Sequence, residues 1–266
     1  MKANGLSSDS LSARVAVKLG LDAARLFGVA LGCAAIAWGA YTCSNFWRHT
    51  PIERIAGHVI AGDPFKTRQL TDLSPTLDMV EHEPLCSPDT LHSVAVLRLR
   101  LLEIAMDEGE GSIDAQMQTV RDSVRRSLAC SPADPFLWTV LYWVETAQNG
   151  FRPDYLAYLR LSYLLGPNEG WVALKRNPLT LAVFSRLPPD LAEMTVAEFA
   201  SLLNSGFDSE TAEILEGPGW KVRDRLLSGL KDVRESHRQI FAKILYRNGY
   251  NVSVPGVKLS DPRPWD

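Results

Sequence analysis

The sequence predicts an all-α protein, in which a single N-terminal transmembrane helix precedes an α-solenoid or an irregular helical bundle. Three observations point to this class. An uncharged, largely apolar stretch covers Leu26–Trp47. The rest of the chain is a succession of amphipathic segments that begin at capping residues or prolines and end at glycines. No segment alternates apolar and polar residues over the length of a strand, and the best candidate, Val252–Val254, is very short.

The uncharged stretch has the length and the flanks of a membrane anchor. Its most apolar part, Leu26–Cys43, has 18 residues. At about 1.5 Å per residue this part spans roughly 27 Å, close to the roughly 30 Å hydrocarbon thickness of a bilayer. Small residues dominate it, and aromatic residues gather at its C-terminal end, as in the aromatic belt of a membrane interface. The residues assigned to the anchor are Gly28, Gly32, Trp38, Tyr41 and Trp47.

The flanking charges predict the orientation of the anchor. The cations before the stretch are Lys2, Arg14, Lys18 and Arg25. Only Arg48 and Arg54 follow it closely, so residues 1–25 are expected to form a short basic head in the cytoplasm, with the body outside. This predicts a single-pass protein of the bacterial inner membrane with a periplasmic body. Two alternatives stay open, namely a signal peptide cleaved near Ala35-Ile36-Ala37 and a buried helix.

Composition and charge limit the classes of protein that fit. The chain has 266 residues and a formal charge of −3, and the part beyond the anchor is long enough for one domain with a substantial core. The sequence contains no basic run, so no nucleic-acid partner is expected.

The four cysteines form two groups. Cys33 and Cys43 lie in the apolar stretch, whereas Cys86 and Cys130 lie in the body, where each opens a Cys-Ser-Pro tripeptide. An exported body permits a disulfide between Cys86 and Cys130. The alternative is a pair of small buried residues at equivalent helix starts.

Capping and turn motifs divide the body into segments. We expect a juxtamembrane helix and an irregular linker over residues 48–86, a helical domain over 87–248 and an extended tail over 249–266. Within the domain, Thr195–Glu198 matches a capping box at a helix start. Apolar residues spaced alternately by four and three predict one long helix over Trp220–Arg247.

Two segments resemble the junctions between tetratricopeptide repeats. In residues 127–138, SLACSPADPFLW, one helix closes on small residues and a proline before an aromatic residue starts the next. Residues 163–171, YLLGPNEGW, have the same form, and Pro132 and Pro167 lie 35 positions apart, near the period of about 34 residues in that family. The resemblance covers about residues 87–175 and departs from the period in the preceding interval. It implies paired helices that bind segments of other proteins.

The sequence contains none of the common catalytic signatures. A phosphate loop, a dinucleotide fingerprint, a nucleophile elbow and a His-Glu-x-x-His motif are all absent, so we expect neither an enzyme nor a cofactor. His82, Cys86 and His92 lie close in sequence, but their spacing matches no standard zinc site, and no metal is expected. His237 falls in an apolar helix face and is interpreted as a core residue.

One region combines cations and aromatic rings, which together suit a sugar or an acidic peptide. This candidate binding surface consists of Arg152, Tyr155, Tyr158, Arg160, Trp171, Lys175 and Arg176. The alternative is that the rings belong to the core and the cations to a solvated face.

The sequence therefore predicts a non-catalytic, membrane-anchored, extracytoplasmic scaffold or adaptor. Its expected partners are other envelope or membrane proteins, which it would join through protein–protein interactions in a cell-envelope complex. The first alternative is an accessory factor that binds or handles envelope polysaccharide during export or assembly. A hydrolase is the remaining alternative.

Overall fold

The computed structural model describes residues 6–63, 67–109 and 112–258. These residues contain twelve α-helices, four short 3₁₀ turns and no strand. The all-helical class predicted from the sequence is confirmed for this part of the chain. The helices are α1 Leu6–Ile60, α2 Thr67–Thr71, α3 Ser74–Glu81, α4 Pro88–Glu108, α5 Ile113–Cys130, α6 Pro135–Asn149, α7 Leu156–Leu165, α8 Gly170–Ala182, α9 Pro189–Asn204, α10 Asp208–Glu216, α11 Arg223–Ser228 and α12 Glu235–Arg247.

The chain divides into two compact units, Met1–Gly57 and His58–Asp266. The first unit consists of most of α1, in which Arg25–Cys43 is long and apolar enough to cross a membrane. The described side chains of this segment are exposed, including Ile36 at 75%. Among the described residues, and apart from the helix's own backbone, no atom lies within 4 Å of a Cβ added at Gly28 or at Gly32.

The helix that carries the apolar segment is longer than the sequence indicates. A separate juxtamembrane helix was expected at the start of residues 48–86, but α1 continues through Pro51 to Ile60. The start of the predicted basic head, with Lys2, lies outside the described residues, as does the end of the predicted tail beyond Lys258.

The second unit begins with short helices where an irregular linker was predicted. In residues 67–81, α2 and α3 both pack against α4. Arg98 of α4 is buried and donates a hydrogen bond to Asp78, while Arg126 of α5 donates to the Glu81 carbonyl oxygen over 2.9 Å. The prediction of irregular structure was wrong because tertiary contacts hold these helices: α2 packs on α4, and α3 is held by arginines of α4 and α5 without a side-chain cap.

Helices α4 to α9 pack mainly on their neighbours in sequence. The pairs α4–α5, α6–α7 and α8–α9 are each in close contact, α5 also packs on α6, and α6 reaches α8. Local signals position the starts of these helices. Pro88 and Pro135 occupy first-turn positions, where a missing amide hydrogen costs nothing. The Asp134 carboxylate also accepts a hydrogen bond from the Leu137 amide over 3.0 Å.

A disulfide joins Cys86 to Cys130, with the two Cα atoms 5.8 Å apart. It links the residue that precedes Ser87, the N-cap of α4, to the last residue of α5. The first helix pair is therefore closed covalently at one end. Cys33 and Cys43 are free and exposed on α1.

The C-terminal part of the second unit packs around a separate core that includes Phe199 and Phe241, whose rings lie 6.2 Å apart. The single long helix predicted over Trp220–Arg247 is broken here into two 3₁₀ turns, α11 and α12. The break has a tertiary cause. A Cβ at Gly229 would lie 2.8 Å from a Val196 side-chain carbon, and the Arg234 amide donates to Asn204 rather than to a helical carbonyl.

The last described residues pack against the same core. The Pro255 carbonyl oxygen accepts a hydrogen bond from Arg238 of α12 over 2.5 Å, and Val254 is buried. His237 is half-buried and pairs through Nδ1 with Asp208 over 3.0 Å, so it is a partnered residue at the edge of the core.

Candidate binding groove

A groove of about 430 Å³ lies between α4, α6 and α8. Each helix contributes one face, as expected for residues spaced by three, four or seven positions. We call this feature the α4–α6–α8 groove. Its lining consists of Leu99, Arg100, Glu103, Met106 and Asp107 on α4, of Phe136, Thr139, Val140 and Trp143 on α6, and of Lys175 and Leu179 on α8.

The order of the helices explains why alternate helices form the groove. The first helices of the pairs α4–α5, α6–α7 and α8–α9 line the groove, and α6 packs on α8, whereas the described residues of the groove lining include none of α5, α7 or α9. Leu102 of α4 and Leu137 of α6 belong to one buried cluster beneath the groove. The floor is therefore supported by a packed core and is not a gap in it.

The floor is mainly apolar and the walls are charged. Phe136, Val140 and Trp143 supply the floor, and Met106, 46% exposed, lies on the α4 wall. On that wall Arg100 pairs with Glu103 over 2.9 Å. A mixture of apolar surface with a few charged groups is typical of a ligand-binding cleft.

Two further interactions lie around the N-terminal ends of the groove helices. The rings of Phe136 and Trp171 lie 4.9 Å apart, which brings the starts of α6 and α8 together. His92 of α4 pairs through Nδ1 with Asp134, the N-cap of α6, over 2.5 Å. Burial acts to raise the pKa of Asp134, but hydrogen bonds from His92 and from the Leu137 amide outweigh burial and lower the pKa below its usual value.

The lowered pKa of Asp134 predicts an acid-linked loss of stability. A carboxylate with a lowered pKa in the folded state contributes stability above its usual pKa of 3.8 and loses that contribution as the pH falls through the folded value. Asp134→Asn should keep the helix cap but lose the charge of the carboxylate that pairs with His92. We expect this to lower the free energy of unfolding by about 1 kcal/mol at pH 7.

Urea unfolding of the full chain in detergent micelles, at pH values from neutral to about 3, measures this effect. The difference between the wild type and Asp134→Asn should shrink at the acid end. Asp232→Asn, at an exposed position, serves as the control and should match the wild type throughout. A difference that stays constant with pH would contradict the assignment.

The structure separates the seven residues of the predicted binding surface into different places. Tyr155 and Tyr158 stack with a ring-centroid distance of 6.0 Å, Trp138 stacks on Tyr158 at 5.8 Å, and Arg152 lies over Tyr155. We call these four residues the aromatic row. Arg160 lies apart from the row, in an exposed ion pair of 2.7 Å with Asp190. Its hydrogen bonds lower the pKa of Asp190.

Lys175 and Trp171 belong to the groove region. Lys175 lines the groove, and the 43% exposed ring of Trp171 contacts Phe136 of its floor. These two residues are the part of the predicted surface that the structure brings to the groove.

Arg176 has no place on any surface, because its side chain is completely buried. It donates to Glu198 Oε1 over 2.5 and 3.0 Å, to Ser162 Oγ over 2.8 Å and to the Gly166 carbonyl oxygen over 3.0 Å. Its guanidinium also lies 4.1 Å from the Tyr163 ring centroid. The cation was assigned to a surface because its partner lies on a different helix, out of reach of local sequence spacing.

Glu198 completes a buried polar cluster with Tyr163, Arg176 and Asn177. Its Oε2 accepts from the Tyr163 hydroxyl over 2.9 Å and from the Asn177 amide over 3.2 Å. Burial raises the pKa of the Glu198 carboxyl, while Arg176 acts in the opposite direction. Burial also raises the pKa of the Tyr163 hydroxyl. Both carboxylate oxygens accept hydrogen bonds from this cluster, which therefore connects α7, α8 and α9.

The same cluster corrects the prediction of a capping box at Thr195–Glu198. Helix α9 already starts at Pro189, so both residues lie in its interior. The Thr195 hydroxyl donates to the Leu191 carbonyl oxygen over 2.7 Å, one turn earlier. A Thr and a Glu three positions apart satisfy the capping pattern, but here each is used for packing between helices.

The turn before α8 depends on a glycine that cannot be replaced without a clash. A Cβ at Gly166 would lie 2.6 Å from Cγ of Pro135, at the start of α6. We expect Gly166→Ala to lower the free energy of unfolding by about 1–3 kcal/mol, the usual cost of overpacking. Gly57→Ala, in the interior of α1 and with no described atom beyond the helix's own backbone within 4 Å of the added Cβ, is the control and should not lower stability, since alanine favours a helix more than glycine does. Thermal unfolding of the two variants tests this expectation, and equal midpoints would contradict it.

No group of three or more His, Cys, Asp or Glu side chains in the described parts of the chain is arranged to hold a metal ion. The three residues considered as metal ligands in the sequence have other partners. Cys86 is in the disulfide, His92 pairs with Asp134, and His82 bonds to the Asp78 carbonyl oxygen over 2.8 Å.

The groove-lining residues of α4 and α6 were not predicted from the sequence as part of a binding site. Their signal was present, since Leu99, Glu103 and Met106 share one face of α4, and Phe136 and Trp143 are seven positions apart on α6. Spacing alone does not separate a face that lines a groove from a face that packs in a core.

The chain matches no protein-family description, no curated protein and no solved structure with significant similarity.

Proposed function

We propose that the protein is a non-catalytic membrane-anchored adaptor that binds a segment of a partner protein in the α4–α6–α8 groove. The observation that carries the proposal is the groove itself, in which three alternate helices present an apolar floor between charged walls. Grooves of this kind suit apolar anchor residues of a bound helix or peptide. The partners are envelope or membrane proteins of the same complex.

The exposed apolar segment of α1 supports the anchor. A helical surface with Leu26, Phe27 and Trp38 each about 70% exposed is costly in water and suits the hydrocarbon of a bilayer. The charge bias around the segment favours a cytoplasmic N-terminus. The Cys86–Cys130 disulfide fits an oxidising compartment, which favours a periplasmic body anchored in a bacterial inner membrane.

The paired helices support kinship with tetratricopeptide-type repeats over about residues 87–175. Helices α4 to α7 form two successive pairs, and α8 adds the first helix of a third. The junction residues Pro132 and Pro167 each stand in the turn between two pairs. This arrangement is what the resemblance implies, and it agrees with a groove on the face of the first helices.

The location is tested by a compartment-specific reporter at the C-terminus, together with the mass of the mature chain. A full-length product with an external C-terminus agrees with the proposal. A product shortened near Ala37 would replace the anchor with a cleaved signal peptide. A cytoplasmic C-terminus would contradict the orientation and the compartment of the disulfide.

The adaptor function is tested by capture of the tagged full chain from gently solubilised membranes. The wild type should retain a partner in stoichiometric amount, and Met106→Arg should lose it because arginine obstructs the groove. Tyr246→Arg is the matched control, since Tyr246 is 41% exposed, close to the 46% of Met106, and lies on α12 outside the groove. A partner that both variants retain equally would contradict binding in the groove.

The aromatic row favours a second candidate function, as an accessory factor that binds envelope polysaccharide. Trp138, Tyr158 and Tyr155 are half-buried rings that stack in succession, Arg152 lies over Tyr155, and aromatic rings of this kind contact sugars. Calorimetry of the full chain in detergent with purified envelope polysaccharide tests it. Binding heat that Tyr155→Ala abolishes would favour this candidate, and the absence of binding heat would dismiss it.

A further inference from the structure

We propose that the partner segment is an amphipathic helix with an acidic flank on one side of its apolar stripe and a basic flank on the other. This inference rests on the groove function proposed above and adds the chemistry of the ligand. It follows from where the apolar and the unpaired charged groups of the groove lie.

The apolar floor of the groove determines the spacing of the apolar residues on the bound helix. Phe136 and Trp143 are seven positions apart on α6, so they are separated by about 10.5 Å along the helix axis. The same interval separates apolar residues two turns apart on a bound helix. Met106 stands on the α4 wall with 46% of its surface exposed, and it is a third apolar contact.

The charges on the groove walls determine which charges the flanks of the bound helix should carry. Glu103 already neutralises Arg100 on α4, which leaves Asp107 as the unbalanced charge of that wall. Lys175 is the charge of the α8 wall. Both side chains are exposed, and neither makes an ion pair within the described residues. One wall is therefore negative and the other positive, with the apolar floor of α6 between them.

These opposite walls discriminate between ligands. A helix with one sign of charge on both flanks is attracted by one wall and repelled by the other. A helix with opposite signs on its two flanks is attracted by both walls in one of its two directions along the groove, and that direction is the one in which it binds. The ligand class is thus defined by its mixed flanks as well as by its apolar stripe.

The test uses the full chain in nanodiscs of uncharged lipid and three labelled helical peptides of about 18 residues. All share one leucine stripe, and their flanks are mixed Glu and Lys, Glu only, or Lys only. Fluorescence anisotropy should show the mixed peptide bound about fivefold more tightly than the others. Lys175→Glu should transfer the preference to the Lys-only peptide, and Asp107→Lys to the Glu-only peptide.

Matched charge reversals on other surfaces are the controls. Lys243→Glu and Asp232→Lys, at exposed positions outside the groove lining, should keep the order of affinities of the wild type. An order that Lys175→Glu and Asp107→Lys leave unchanged would overturn the inference. If Met106→Arg still abolished binding of all three peptides, the groove function would nevertheless stand. A wild type that binds none of them would overturn this ligand class, while the capture experiment decides the adaptor function.

Discussion

Arg176→Ala is expected to lower the free energy of unfolding by about 3–5 kcal/mol. The substitution removes the cation that donates twice to Glu198 and leaves that carboxylate buried without its charge partner. It also removes the donors to Ser162 and to the Gly166 carbonyl oxygen, where α7 ends. Urea unfolding of the full chain in detergent micelles, followed by tryptophan fluorescence, measures the loss.

Two further variants show whether the loss of stability comes from the buried ion pair or from the loss of any arginine. Arg160→Ala removes an arginine from an exposed ion pair with Asp190, and solvent screening should make its effect small. The double substitution Arg176→Met with Glu198→Leu should recover most of the lost stability, since it removes both charges together. If Arg176→Ala and Arg160→Ala cost the same, the buried cluster would not be the connection between α7, α8 and α9 described above.

Removal of the disulfide by Cys86→Ser with Cys130→Ser is expected to cost about 4 kcal/mol. The bond spans 44 positions of the chain, and a cross-link over such a loop lowers the chain entropy of the unfolded state by about this amount. The first helix pair, α4 and α5, is the part of the fold that should loosen. The unfolding midpoint of the double variant in urea, compared with that of the wild type, measures the effect.

The free cysteines supply the control for this prediction. Cys33→Ser with Cys43→Ser changes the same number of thiols on the exposed surface of α1 and should leave the midpoint unchanged. A maleimide reagent should label two cysteines of the denatured, unreduced chain and all four after reduction. Four labelled cysteines before reduction would contradict the disulfide in the isolated protein.

The sequence was sufficient where structure depends on local chemistry. The starts of α4 and α6 follow from Pro88 and Pro135, which occupy first-turn positions just after Ser87 and Asp134. The apolar segment of α1 was recognised because its length and lack of charge are properties of one continuous stretch. These signals involve residues within a turn or two of each other.

The sequence was insufficient where contacts between distant residues decide the outcome. Arg176 is buried because Glu198 meets it from another helix, 22 positions away. The expected long C-terminal helix breaks where Gly229 approaches Val196 and where Asn204 accepts from the Arg234 amide. The groove likewise required three separate helix faces to be brought together.

Photo-crosslinking in intact membranes tests the groove as a binding site most directly. A photo-reactive residue at Met106 places the reactive group in the groove, and the same residue at Tyr246 places it on a similarly exposed part of α12. We expect one discrete crosslinked partner from position 106 and none from position 246. Identical products from both positions, or no product from position 106, would contradict the adaptor function.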